Sequence, residues 1–417
     1  MKTKAVRLYG KSDLRLEEFD LPEIKEDEIL VKVYSDSMCM STYKEVKQGA
    51  NHIRVPDAVH SNPIIVGHEF AGTIVEVGKK WQDKYHVGKK FALLPGIPDQ
   101  LGAPGYSYEY FGGNCTYCII PNHAIEKNCF YEVDFDSYYE ISAVEPLYCV
   151  IGGFNSMLHS VSQSYEIATS NVPDGNLLIL GGCGPMGIMA INYACEKDNG
   201  PKRVVVTDID STKLKSVQEK FENDPTFDNG TELIFVNTAK EKDSFKALMD
   251  LTNGEGYDDV FVYAPVREVC ELGDSLLAFN GCLNLFAGPE DKNFSAEMNL
   301  YNSHYKNTKI MGSSGGFVQD FVEALDYVKQ KKVNPARMIS HIGGIDAIIH
   351  SALNLPKIPG GKKLFYTQID LPLTAIEDFE ELGKSESLFK DLHAACKQNH
   401  GLWNPEAEKI LLEHYKK

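Results

Sequence analysis

The chain has 417 residues, 43% hydrophobic and 24% charged, with 42 Lys and Arg against 59 Asp and Glu for a formal charge of −17. That length is enough for two domains with cores of their own. An acidic balance with no basic stripe argues against nonspecific nucleic-acid binding and serves solubility instead.

The first seven residues, Met1-Lys2-Thr3-Lys4-Ala5-Val6-Arg7, lack the apolar stretch of a secretion signal. No run reaches the roughly 20 apolar residues of a membrane span. Ten cysteines are scattered without a disulfide-like framework and are expected to be reduced thiols. A cytoplasmic protein with no membrane or nucleic-acid partner is expected.

Residues 1–110 contain short β-like runs punctuated by Gly and Pro, such as Ile29–Tyr34 and Thr73–Gly78, and suit a compact β-rich domain. The character changes near residue 175. Leu177-Leu178-Ile179-Leu180 reads as a buried strand, followed by a helix from about Pro185 to Lys197. Arg203–Thr207 reads as a second buried strand, and a charged helix runs from about Ser211 to Phe221. Further strands are expected at Leu233–Val236, Asp259–Tyr263 and Cys282–Phe286. Apolar strands alternating with helices indicate βαβ units and a parallel sheet. An amphipathic helix follows near Phe317–Lys331, and the last 50 or so residues look helical and charged.

The first strand–helix junction carries Gly182-x-Gly184-Pro185-Met186-Gly187. Such a spacing is weak alone, but here it lies between an apolar strand and a helix. The first glycine permits a tight turn, the second admits a pyrophosphate to the backbone, and the third lets helix and strand pack closely. The helix N-terminus offers free N–H groups and positive potential to phosphates. Asp208 ends the next strand, 21 residues after Gly187, where its carboxylate would accept the ribose 2′-hydroxyl. That favours NAD(H), with NADP(H) left open because Lys213 and Lys215 lie close behind.

Upstream, Cys39, the Gly67-His68-Glu69 segment and Glu145 bring together a thiol, an imidazole and two carboxylates. Mixed sulfur, nitrogen and oxygen ligands suit zinc. Metal ligands followed by a dinucleotide fingerprint imply metal-assisted hydride transfer.

Over roughly residues 1–366 the chain resembles the zinc-dependent medium-chain dehydrogenases/reductases, the alcohol and polyol dehydrogenase superfamily. The likeness rests on the GHE-x-x-G segment, Val144-Glu145-Pro146-Leu147, the Gly181–Gly187 turn and Lys309-Ile310-Met311-Gly312-Ser313. It implies an α/β architecture. A GroES-like β-rich catalytic domain would span residues 1–147 and 313–417, with a Rossmann doubly wound parallel sheet over 148–312. It further implies one catalytic zinc per chain, with Cys39, His68, Glu69 and Glu145 supplying or flanking it, and Glu145 or a water in the last position. Ser41 matches the hydroxyl that carries the proton, and Glu69 stands beside the reacting centre. Where the family often has an aspartate and a histidine after that serine, this chain has Thr42 and Lys44.

Cys115-Thr116-Tyr117-Cys118 invites a structural-zinc assignment, but it resembles the strand after the family's cysteine lobe. A strand would also send the two thiols to opposite faces. The segment around Ser37–Pro56 and the long C-terminal extension are similar to bacterial sugar-phosphate members, the L-sorbose-1-phosphate reductases. That likeness implies interconversion of a ketose phosphate and a hexitol phosphate, L-sorbose 1-phosphate and D-glucitol 6-phosphate. Lys44, Lys47 and Arg54, expected in loops after the cysteine, are candidate phosphate partners. The rivals are a dehydrogenase of an unphosphorylated polyol or secondary alcohol, and a non-catalytic dinucleotide-binding protein. A homodimer or homotetramer is expected.

Overall fold

The computed structural model describes residues 1–223, 227 and 230–416. Their contacts form two compact units. One comprises Met1–Glu145, Phe317–Lys329 and Ile339–Lys417; the other comprises Pro146–Gly316 and Gln330–Met338.

The first unit is built on an eight-stranded sheet. Its path runs Thr374–Ala375, Ile339–Gly344, Lys362–Tyr366, Ile29–Ser37, Phe70–Val77, Lys90–Leu93 and Phe130–Val133, with Tyr117–Ile120 also paired to Ile29–Ser37. Pairing is antiparallel except between Ile339–Gly344 and Lys362–Tyr366. A second sheet orders Asp13–Asp20, Lys2–Gly10 and Ile64–Ile65. Val6, Leu8, Met38, Val46, Ile64, Val66, Ile348 and Phe365 share one buried core. Burying Val46 there anchors helix Met40–Gln48, and that helix begins at the candidate metal site.

The second unit holds a six-stranded parallel sheet in the order Glu232–Asn237, Arg203–Asp208, Asn176–Leu180, Tyr257–Val262, Leu277–Leu285 and Lys309–Gly312. In chain order this is 3-2-1-4-5-6, the doubly wound arrangement that receives dinucleotides at the carboxyl ends of its strands. Leu177, Leu178, Ile179, Val204, Val205 and Val206 are all fully buried, which is why these strands read as continuous apolar runs. Helices Pro185–Glu196 and Ser211–Glu222 follow the first two strands.

Three expectations are corrected. Lys44 and Lys47 lie on helix Met40–Gln48, not in a loop. Cys115 precedes its strand, which begins only at Tyr117; the period-two rule therefore does not apply, and the Cys115 thiol lies within hydrogen-bonding reach of Cys118. The segment Gln330–Met338, placed from sequence with residues 313–417, groups with the second unit. There Asn192 on helix Pro185–Glu196 donates to the Asn334 carbonyl and accepts from the buried Arg337 guanidinium.

Candidate metal centre

Cys39 sits immediately before helix Met40–Gln48, with its carbonyl accepting from Thr42 N at 3.1 Å. His68 and Glu69 follow Gly67, whose φ of +91° favours glycine. A Cβ at Gly67 would fall 2.0 Å from Asp36 Oδ2. The buried Asp36 fixes this turn by accepting from Glu69 N at 3.1 Å and from Asn114 Nδ2 at 2.5 Å.

One ligand atom from each of Cys39, His68 and Glu69 lies within 4.8 Å of the others. Ser41 Oγ is 3.2 Å from His68 Nε2, and Tyr106 Oη is 3.4 Å from the same nitrogen. Thr42 Oγ1 lies 3.4 Å from His68 Nδ1, so it stands where a second group would orient the imidazole. Burial pushes His68 down to about 4, which keeps the ring neutral, the form that ligates metals.

Glu69 is fully buried. Its Oε1 accepts from Lys362 Nζ at 2.5 Å, and its Oε2 accepts from Ser37 Oγ. Glu145, in the first turn of helix Val144–Asn155, is hydrogen-bonded to Glu69. Burial, and then the neighbouring Glu69 charge, hold Glu145 well above the usual carboxylate range. Burial and the same carboxylates raise the Cys39 thiol to about 12. Burial opposes the Lys362 charge, yet Glu69, Cys39 and Glu145 outweigh it and hold the ammonium above its ordinary value. A thiol and two carboxyl groups facing a single lysine leave two negative charges uncompensated when all ionise. A divalent ion fits that donor set.

Lys362, Asp36 and Tyr106 were not among the sequence candidates. The Lys362-Lys363 pair opening an apolar strand is the one local signal, since strand alternation sends one of two adjacent lysines inward. Among the candidate phosphate partners, Arg54 lies over the Tyr106 ring at 5.4 Å, and His52 stacks on that ring at 5.5 Å. Lys47 instead lies over Tyr43 at 5.6 Å.

In the second unit the fingerprint glycines differ in the room around them. A Cβ at Gly187 would meet the Gly182 carbonyl oxygen at 2.3 Å, whereas Gly184 faces open space. Gly184 caps helix Pro185–Glu196, Pro185 fills its first position, and Met186 follows in the first turn. Asp208 ends its strand with Oδ1 accepting from Ile209 N at 2.8 Å and Asp210 N at 3.1 Å. Its carboxylate stands beside Cys183 in the glycine turn, as does the charge of Lys213.

Residues 25–130 match the family model for the alcohol dehydrogenase GroES-like domain, and residues 185–330 match that for zinc-binding dehydrogenases. The chain is 47% identical to the protein YggP of Escherichia coli, covering 100% of this chain and 98% of that one. The chain belongs to the zinc-binding dehydrogenases. Two other members of the family are similar over nearly their whole length. A mannitol-1-phosphate 5-dehydrogenase of Aliivibrio fischeri is 45% identical, and an L-sorbose 1-phosphate reductase of Klebsiella pneumoniae is 43% identical, each over 99% of this chain and 98% of the relative. In fold, the chain is similar to the 2R,3R-butanediol dehydrogenase of Bacillus subtilis, with a TM-score of 0.71 and 21% identity over 88% of this chain and 99% of that one. Membership makes the protein an oxidoreductase with zinc and a nicotinamide dinucleotide as cofactors, which removes the non-catalytic alternative. Among the described residues, no helix is long and apolar enough to cross a membrane.

Proposed function

We propose that this dehydrogenase interconverts a ketose phosphate and a hexitol phosphate, with L-sorbose 1-phosphate and D-glucitol 6-phosphate as the first pair to test. The reading is carried by the convergence of Cys39, His68 and Glu69 ligand atoms within 4.8 Å, together with full-length likeness to two relatives named for sugar phosphates. Cys39 and His68 would hold zinc, with Glu69 or Glu145 or a water completing the set. When bound there, the ion supplies Lewis acidity toward the substrate oxygen. The hydride belongs to the nicotinamide.

The chain's own residues account for the proton and the orientation. In the reducing direction the carbonyl carbon gains a hydride and its oxygen gains a proton. Ser41 Oγ, next to His68 Nε2, is the group assigned to deliver that proton. Tyr106 and Arg54 flank it, and Arg54 is the favoured phosphate partner because the ring it covers reaches His68. A charge-assisted contact to phosphate is stronger than a neutral one, and remote binding energy of this kind can orient the reacting carbon. Asp208 would accept the ribose 2′-hydroxyl and favour NADH. Free thiols at all ten cysteines suit a cytoplasmic setting, and a homodimer or homotetramer is retained as the assembly to test by light scattering.

The deciding experiment is a panel of L-sorbose 1-phosphate, mannitol 1-phosphate and their unphosphorylated counterparts, each with NAD(H) and NADP(H). The phosphorylated substrates should be favoured in kcat/KM by roughly 100-fold, the value of a charge-assisted contact or two. Arg54→Ala should erase most of that preference while sparing the free sugars. Equal efficiency on free and phosphorylated sugars in the wild type would favour the polyol dehydrogenase instead.

A further inference from the structure

The C-terminal extension ends in helix Pro405–His414, and Glu408 on that helix is 3% exposed. Its Oε1 accepts from Tyr138 N at 2.6 Å, and its Oε2 accepts from Tyr139 N at 2.9 Å and from Tyr366 Oη at 2.8 Å. Three donors thus converge on one carboxyl group. Trp403 Nε1 adds a donor to Tyr366 Oη at 2.8 Å, and the fully buried Trp403 packs beside Phe379. The extension is therefore fastened to the first unit by a buried polar knot, not by surface contacts alone.

Both elements that Glu408 grips lead to the candidate metal centre. Tyr138 and Tyr139 open helix Tyr138–Ser142, whose end Ala143 runs straight into helix Val144–Asn155 and its Glu145. Tyr366 ends strand Lys362–Tyr366. Alternation along that strand puts Lys362, Leu364 and Tyr366 on one face, so the hydroxyl that Glu408 accepts from and the ammonium that pairs with Glu69 project from the same side. Glu145 and Lys362 both flank Glu69. Neither is near its partner in sequence, and the carboxyl group of Glu408 is a point where their supporting elements are tied together.

We propose that Glu408 is a positioning residue for the metal centre: the C-terminal extension uses it to hold the helix leading to Glu145 and the strand carrying Lys362 in register around Glu69. This rests on the zinc assignment made above. Outer groups that orient a metal's ligands typically contribute 10–100-fold to affinity, and Glu408 acts one layer further out, through backbone.

The test compares wild type, Glu408→Ala and Tyr366→Phe as full-length proteins at pH 8. Tyr366→Phe releases only the strand and keeps the ring packed, so it guards against a Glu408→Ala chain that fails to fold. Zinc affinity is measured by competition with a chromophoric chelator, thermal midpoints are recorded with and without zinc, and kcat and KM are determined separately. Zinc affinity should fall roughly 10-fold in Glu408→Ala and by a smaller factor in Tyr366→Phe. The rise in Tm on adding zinc should shrink in the same order, and kcat should drop with KM little changed. Folded variants with wild-type zinc affinity and kcat, whatever their Tm, would show that Glu408 merely fastens the extension and would overturn the proposal. Wild-type protein that binds no zinc would instead overturn the metal assignment on which it stands, and this proposal with it.

Discussion

Lys362 decides the electrostatics of the centre at the scale of single residues. Its ammonium is 4% exposed, and the Glu69 carboxylate it meets is fully buried. Removing one partner of such a pair leaves a buried charge uncompensated and costs about 3–5 kcal/mol. Lys362→Met should therefore destabilise the metal-free protein by that amount, read from denaturant unfolding. The same change removes the donor that orients Glu69, so the rise in Tm on adding zinc should be smaller than in wild type. An unchanged zinc increment would show that Lys362 and the ion do not share Glu69. Glu45 presents the opposite case. It is fully buried on helix Met40–Gln48, and among the described residues neither of its carboxyl oxygens has a hydrogen-bond partner. Burial holds it well above the usual carboxylate range even though the Arg54 charge opposes this. Replacing an unsatisfied buried acid with an apolar side chain of similar size removes its desolvation cost, so Glu45→Met should stabilise the fold by about 1–3 kcal/mol. A lower unfolding midpoint in denaturant would mean the carboxyl has a partner in solution.

At the level of elements, the glycine turn shows what local spacing can and cannot convey. The placement of Gly182, Gly184 and Gly187 between a strand and a helix is legible because those elements lie only a few residues apart. The segments around Cys39 and His68 mark both as candidate ligands, and no short motif marks the groups that pack against them. Lys362 lies 293 residues from Glu69, and Asp36 holds the Gly67–Glu69 turn from a different strand. Pairings of that kind arise from sheet register, which no short motif encodes. The nine-residue helix Met40–Gln48 stands where loops are expected from the sequence. In the second unit, Gly187→Ala would drive a Cβ to 2.3 Å from the Gly182 carbonyl oxygen. Forcing helix and strand apart should cost about 1–3 kcal/mol and weaken NADH binding, measured by fluorescence titration. Asp208→Ser should leave the turn intact and shift cofactor preference toward NADPH, since it removes the carboxylate that repels a 2′-phosphate. An unaltered NADH to NADPH ratio of kcat/KM would move the discriminating role elsewhere.

For the molecule as a whole, the extension was legible as helical and charged but not as structural. Its anchor is an acid, and a sequence does not distinguish a surface glutamate from one buried against three donors. That burial has a consequence for stability across pH. Burial raises Glu408 from 4.5 to about 7, against the pull of the Tyr138 and Tyr139 amides, the Tyr366 hydroxyl and the Lys90 charge. Between roughly pH 4.5 and 7 the folded chain keeps a proton at Glu408 that the unfolded chain has already released. Folding stability therefore falls as pH rises through that window, and the contribution is fully present only below it. A shift of this size corresponds to roughly 3 kcal/mol. Glu408→Gln cannot titrate and places an amide N–H against at least one of the three donors, so its stability should be lower overall at low pH but free of this slope. The comparison is a set of urea unfolding curves for both proteins from pH 4.5 to 8. The difference between wild type and variant should narrow with rising pH by roughly 2–3 kcal/mol. A difference that stays constant across the range would mean that Glu408 titrates alike in the folded and unfolded chains, and hence that the carboxyl is not buried in solution.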